Sequence, residues 1–138
     1  PAPEEVETPG ADTIEALAAM LEIDPRATSK AMPVVGPDEK LVLALVRGDH
    51  RLHEMKLQKV LGGEFRPAHA DEIREAFGAD GGSLGPVGVD LPIVTDLVLR
   101  EGQYVAGANR NGFHLWGVSA GRDYEPTQVA VCSPRVGF

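Results

Sequence analysis

Seven consecutive residues, Leu41-Val42-Leu43-Ala44-Leu45-Val46-Arg47, are apolar up to the last. A strand with one face in water alternates apolar and polar side chains, and this run does not. It reads as a central strand covered on both faces, which requires strands beside it and helices above and below. "AMPVV" (31 to 35) reads as its partner, joined through the turn "GPDEK". Pro33 cannot donate a ladder hydrogen bond, which places that partner toward an edge or at a bulge.

The rest of the chain supplies the covering elements. Asp12 reads as a helix N-cap with Glu15 three residues on, and Ile14, Leu17, Ala18 and Leu21 recur at helical spacing. The spacing predicts an amphipathic helix over 13–22, followed by a short turn opening at Asp24-Pro25. Asp49 is expected to cap a helix over 50–61, closed by Gly62-Gly63, and residues 70 to 77 a further helix ended by Gly78. "EFRPA", "PIVTD" running into Asp96, and "QVAVC" read as strands. "YVAGA" and "GFHLWGV" form a hairpin around "NRN", with Asn111-Gly112 as the turn signal. Residues 1 to 11 read as a lead-in. This order predicts a single α+β domain over 1–138, a mixed β-sheet with flanking helices.

Composition narrows the function classes. Thirteen Lys and Arg against 21 Asp and Glu leave a formal charge of −8. Nucleic-acid affinity rests largely on cations that neutralise phosphates, so a chain this acidic grips RNA weakly unless another domain holds the backbone. No DNA partner is expected. No apolar run approaches the ~20 residues of a membrane span, and the opening "PAPEEVETPG" is not a signal peptide. No membrane association and a cytoplasmic location are therefore expected. The single Cys132 precludes an intrachain disulfide, which fits that location. The start at Pro1 suggests an excised fragment or a processed product.

Few residues offer conventional chemistry. Arg47-Gly48-Asp49 reads as a strand end and a helix cap. His50 and His53 lack further ligands at metal-site spacing, so no metal and no cofactor are expected. There is no nucleophile elbow, zincin motif or phosphate-binding glycine motif. Lys30 before an apolar strand is either a snorkelling lysine or a functional cation. His114 and Trp116 share one strand face, and His114 is either structural or functional. Gly82-Ser83-Leu84-Gly85-Pro86 carries no acid, base or thiol. That loop is either a tight turn or a source of main-chain N–H groups for an oxyanion.

Four stretches, taken together and in order, resemble one family: "VETPGADTIEALAAMLEI" with "ATSK", "LVLALVRGDHRLHEMKLQKVLG", "ADEIREAFGADGGSLGPVGVDLPIVTD" and "VAGANRNGFHLWGVSAGRDY". The family is the editing (insertion) domain of bacterial-type prolyl-tRNA synthetase, with the related free-standing (YbaK-like) aminoacyl-tRNA deacylases. The resemblance covers roughly residues 6 to 130. It implies hydrolysis of the ester joining a wrong amino acid to tRNA(Pro), with alanine the substrate of the insertion domain. The implied partners are the acceptor end of mischarged tRNA(Pro) and the remaining domains of the synthetase. Residue by residue, it implies catalytic roles for Lys30, Gly82, Ser83, Leu84, Gly85, Pro86 and His114. Ile14 and Leu17 are implied as walls of the alanine pocket, and Thr28 and Asp96 as further substrate-side residues. Ala31-Met32-Pro33 departs from the family's small aliphatic strand, and "CSPRVGF" departs from its usual exit. A free-standing deacylase for another amino acid and a binding module without turnover remain the alternatives.

Overall fold

The structure, a computed structural model, describes residues 2–134; residues 135–138 of the unusual exit lie outside the described residues. Two sheets share the chain. The larger is mixed, and its five strands lie in the order Arg66–Pro67 (β4), Ser29–Val35 (β2), Leu41–Arg47 (β3), Ile93–Asp96 (β5), Gln128–Ala130 (β8). The smaller is antiparallel, in the order Glu4–Glu7 (β1), Phe113–Val118 (β7), Tyr104–Gly107 (β6). Three helices flank them: Ile14–Leu21 (α1), Glu54–Leu61 (α2) and Ala70–Phe77 (α3).

The apolar run is the central strand. β3 pairs antiparallel with β2 and parallel with β5. Its alternate side chains feed two cores. Val42, Ala44 and Val46 pack with Leu57 of α2 and with Val34 and Val94. Leu43 and Leu45 face the other way, onto Phe77 of α3, Leu84 and Leu99. A third cluster of Ala11, Leu17 and Val105 seats α1 beside the small sheet. The sheets meet where Thr28 bridges to Val105.

Pro33 is accommodated as its chemistry requires. β4 pairs only with Val34 and Val35, and the Ala68 amide donates to the Pro33 carbonyl at 3.0 Å. The missing N–H therefore falls on the nearly bare outer edge of β2. The register assigns Ala31 the same outward direction, so its N–H and C=O also face away from β3.

Local signals were displaced in four places. Thr13, not Asp12, caps α1, its hydroxyl accepting from the Ala16 amide at 3.1 Å. Asp49 caps nothing: Arg47 grips it at 2.6 and 2.9 Å, and α2 starts only at Glu54, capped by His53. The lead-in contains β1, which forms because β7 offers it an edge. The hairpin is real, but its connection runs over residues 108 to 112 rather than two residues. Asn109 takes the left-handed conformation in it, at φ 56°.

The loop that follows α3 is held against β6 by glycines. A Cβ on Gly85 would run into the Gly107 carbonyl, and one on Gly107 into the Leu84 carbonyl. Neither obstacle is a movable side-chain tip, so the two backbones touch only because neither residue has a side chain. Gly107→Ala should therefore lower the urea unfolding free energy by about 1–3 kcal/mol, the usual range for overpacking. Gly81→Ala, which meets nothing within 4 Å, should change it little. Equal midpoints for both variants would refute this account of the contact.

Candidate active site

A cleft of about 200 Å³ opens where the two sheets meet α1. Ile14 and Leu17 of α1 form one wall, and Lys30 lies on β2. Gly82 and Leu84 enter from the glycine loop, and His114 from β7. The family resemblance implies these six residues in four distant stretches, and the fold brings them to one cavity.

The other named positions stand elsewhere. Ser83 is buried, its amide donating to the Asp80 carbonyl at 3.0 Å. Gly85 rests on Gly107, and Pro86 borders a separate small void. Thr28 is wholly buried with its hydroxyl on the Pro25 carbonyl at 2.7 Å. Asp96 is 2% exposed and accepts from the amides of Cys132 at 2.8 Å and Ser133 at 3.1 Å. Asp96 thus pins the last strand's exit, and neither it nor Thr28 lines the cleft. Trp116 lies 43% exposed, away from the cleft that His114 lines.

The loop amides divide into two groups. Those of Ser83 and Gly85 are already bonded, the second to Asn109 Oδ1 at 2.9 Å. The amides of Gly82 and Leu84 have no acceptor among the described residues, and both residues line the cleft. Asn109 was missed as a site residue. Its Nδ2 donates to the carbonyls of Gly85 and Val87 at 3.0 and 3.1 Å, and its main-chain N–H to Ser83 at 2.8 Å. Its one visible signal was a place in the "GANRNGFH" stretch. Gly82 itself packs on the Asp12 backbone, where a Cβ would lie 2.9 Å from Cα.

Thr8 was also missed. Its hydroxyl lies 2.6 Å from His114 Nδ1, and both residues are buried. The Thr8 amide donates to the Gly112 carbonyl at 2.7 Å, which anchors it to the hairpin. His114 Nε2 has no hydrogen-bond partner among the described residues. Burial pushes the His114 imidazole below its ordinary 6.5, so it is neutral near pH 7. Lys30 has no carboxylate within ion-pair distance among the described residues. The Cys132 thiol is pushed up to about 12, first by burial and then by Asp96, so it is no nucleophile. Among the described residues no three His, Cys, Asp or Glu side chains converge as a metal site. None of the described helices is long and apolar enough to cross a membrane.

The profile of the aminoacyl-tRNA editing domain family matches residues 8–124, a span that contains the cleft-lining residues named above. This chain belongs to that family. Its class of activity is aminoacyl-tRNA deacylation, a hydrolysis. The chain is 43% identical over 130 residues to a proline–tRNA ligase of Streptococcus mutans, covering 91% of this chain and 21% of the ligase. It is 45% identical over 132 residues to one of Thiobacillus denitrificans, covering 91% and 23%. The chain thus spans about a fifth of the length of these relatives. A solved structure described as a putative trans-editing enzyme for prolyl tRNA synthetase superposes with a TM-score of 0.78 at 24% identity, covering 96% of this chain and 87% of that one. That likeness establishes the shared α+β fold.

The Thr8–His114 pair makes two measurable statements. The His114 ring should titrate by NMR with a midpoint below 6.5. Because the native state resists protonation, the associated stability is complete above the ordinary value and is lost as pH falls through the native one. Thr8→Val, which leaves buried Nδ1 unpaired, should cost about 1–3 kcal/mol of unfolding free energy, and Thr8→Ser should recover most of it. A Val variant as stable as the parent would remove the pair's significance.

Proposed function

We propose that this chain is the editing insertion of a prolyl-tRNA synthetase and that it clears alanine from mischarged tRNA(Pro). The observation that carries the reading is the convergence, in one small cleft, of a cation, two unclaimed main-chain amides and a neutral histidine, with no thiol among the lining residues.

An aminoacyl ester is already activated, so its hydrolysis needs a placed water and a stabilised oxyanion more than a strong nucleophile. Water adds to the ester carbonyl carbon, and the negative charge gathers on the carbonyl oxygen. The Gly82 and Leu84 amides would receive that charge. Collapse of the intermediate breaks the bond to the ribose oxygen, which leaves as a hydroxyl after taking a proton. Lys30 would position the ribose or phosphate of the terminal adenosine. The outward-facing Ala31 carbonyl is a suitable acceptor for the substrate's α-ammonium group. His114 would hold the attacking water through Nε2, and the neighbouring ribose hydroxyl of the tRNA is the alternative proton acceptor.

Size would set specificity. A synthetic site made for proline rejects smaller alanine poorly, since a methylene is worth only ~1–3 kcal/mol. The cleft behind Ile14 and Leu17 would admit alanine and exclude the proline ring. The chain's −8 charge fits a domain that borrows its tRNA grip from the rest of the synthetase. Near-complete superposition on a putative trans-editing enzyme supports the second reading, a free-standing deacylase.

The test offers Ala-, Cys-, Ser- and Pro-tRNA(Pro) to the chain and to its Lys30→Ala and Leu17→Ala variants in single turnover at saturating protein, so that a weak tRNA grip does not mask turnover. Ala-tRNA(Pro) should be hydrolysed and Pro-tRNA(Pro) spared. Lys30→Ala should lose about 10- to 100-fold in rate, the range of one charged positioning contact. Leu17→Ala should narrow the alanine-over-proline preference by about tenfold or more. Turnover of none of the four esters would leave a binding module; preference for another ester would move the chain to the second reading. Unchanged selectivity in Leu17→Ala would remove the wall.

A further inference from the structure

The ester that is hydrolysed joins an amino acid to a ribose, so ribose and base must sit immediately outside whatever cavity receives the amino acid. A cleft of about 200 Å³ has no room for a nucleoside as well. A second and larger cavity, of about 640 Å³, abuts it, and Lys30 and Met32 line both. Lys30 therefore stands on the divide between two spaces, one sized for a small side chain and one for a nucleotide.

The walls of the larger cavity suit a nucleotide. Met32 and Phe65 present apolar surface, and Phe65 is held in place by packing against the core under α2. A fixed aromatic ring is a stacking surface for any base. Gln58 of α2 offers both a hydrogen-bond donor and an acceptor for a base edge. Arg51 borders the same cavity, lies exposed and has no carboxylate within ion-pair distance among the described residues. Two cations without carboxylate partners, Lys30 and Arg51, thus flank one groove of a chain that carries −8 overall. Glu54 borders the same cavity but pairs with neither cation among the described residues, so an external anion can serve as their complement.

We propose that this second cavity seats the 3′-terminal nucleoside of the aminoacyl-tRNA. The base stacks on Phe65, the ribose spans the divide at Lys30, and Arg51 meets the phosphate entering the terminal nucleotide. The inference rests on the deacylase reading for the identity of its ligand. The occupant is a nucleotide rather than a peptide because the cavity shares Lys30 and Met32 with the cleft where the ester must lie.

Two measurements on the 138-residue chain test it. In the first, the trinucleotide CCA is titrated into labelled protein and followed by NMR. Resonances of Arg51, Gln58 and Phe65 should move together, while that of Trp116, on the small sheet and lining neither cavity, stays still. In the second, single-turnover deacylation of Ala-tRNA(Pro) is measured against enzyme concentration and salt. Phe65→Leu and Arg51→Gln should raise the half-saturating concentration on the order of tenfold and leave the plateau rate near that of the parent. Arg51→Gln should also reduce the slope of log affinity against log salt by about 0.7, the signature of one lost phosphate contact on a single strand, which a merely structural residue would not do. Exposed Arg51 keeps the test valid if Phe65→Leu fails to fold. Active parent protein with unmoved Arg51 and Phe65 resonances, or with unchanged half-saturation in Arg51→Gln, overturns the proposal. A parent that hydrolyses no ester sinks the deacylase reading instead, and the trinucleotide titration still decides whether the cavity takes a nucleotide.

Discussion

The site depends on a contact between two stretches of main chain that have no side chains between them. Gly85 and Gly107 let the loop after α3 lie flat against β6, and Asn109 fastens the pair through three side-chain hydrogen bonds to Gly85 and Val87. Those bonds consume the Gly85 amide, while Asp80 consumes that of Ser83. What remains unclaimed beside the cleft is the pair at Gly82 and Leu84. A loop that looks permissive in composition is thus rigid in place, and rigidity is what lets a main-chain dipole stabilise charge without reorganising during reaction.

The same economy extends to the neighbouring groups. Lys30 sits at the outer edge of a strand whose next proline cannot continue a ladder, so no strand covers the cleft at Ala31. The gap in the sheet is therefore a consequence of Pro33 chemistry and of the shortness of β4. His114 is kept neutral by burial and oriented by Thr8, which suits a group that holds water more than one that carries charge. Positive charge in the cleft is left to Lys30, which has no ion-pair partner among the described residues although Asp12 lines the same cleft.

Elements with strong local chemistry were legible in advance. Gly62 and Gly78 close α2 and α3 in the left-handed conformation, as helix-terminal glycines do. The buried run at β3 and the strand ending at Asp96 were equally plain. Capping was less so. Asp12 and Thr13 are both able caps, and only the path of the chain past Gly82 decides which side chain reaches the third amide. Asp49 is instead held by Arg47 through two hydrogen bonds, and the helix starts at Glu54 with His53 as its cap. β1 carries three glutamates in four residues and no alternating apolar pattern worth the name; it becomes a strand because β7 presents an unpaired edge to it.

Periodicity, capping residues and turn chemistry act within a few residues, so the order of helices and strands after β1, the α+β class and the family resemblance were all contained in the linear chain. Contacts between distant segments are another matter. Thr8 reaches His114 across 106 positions, Asp96 is taken up by the amides of Cys132 and Ser133, and Lys30 is set between two cavities whose walls come from seven strands and helices and from the loops between them. Which amides stay free, which histidine loses its charge and which cation keeps no partner were decided only when the chain closed, because burial and hydrogen-bond competition are properties of the packed whole.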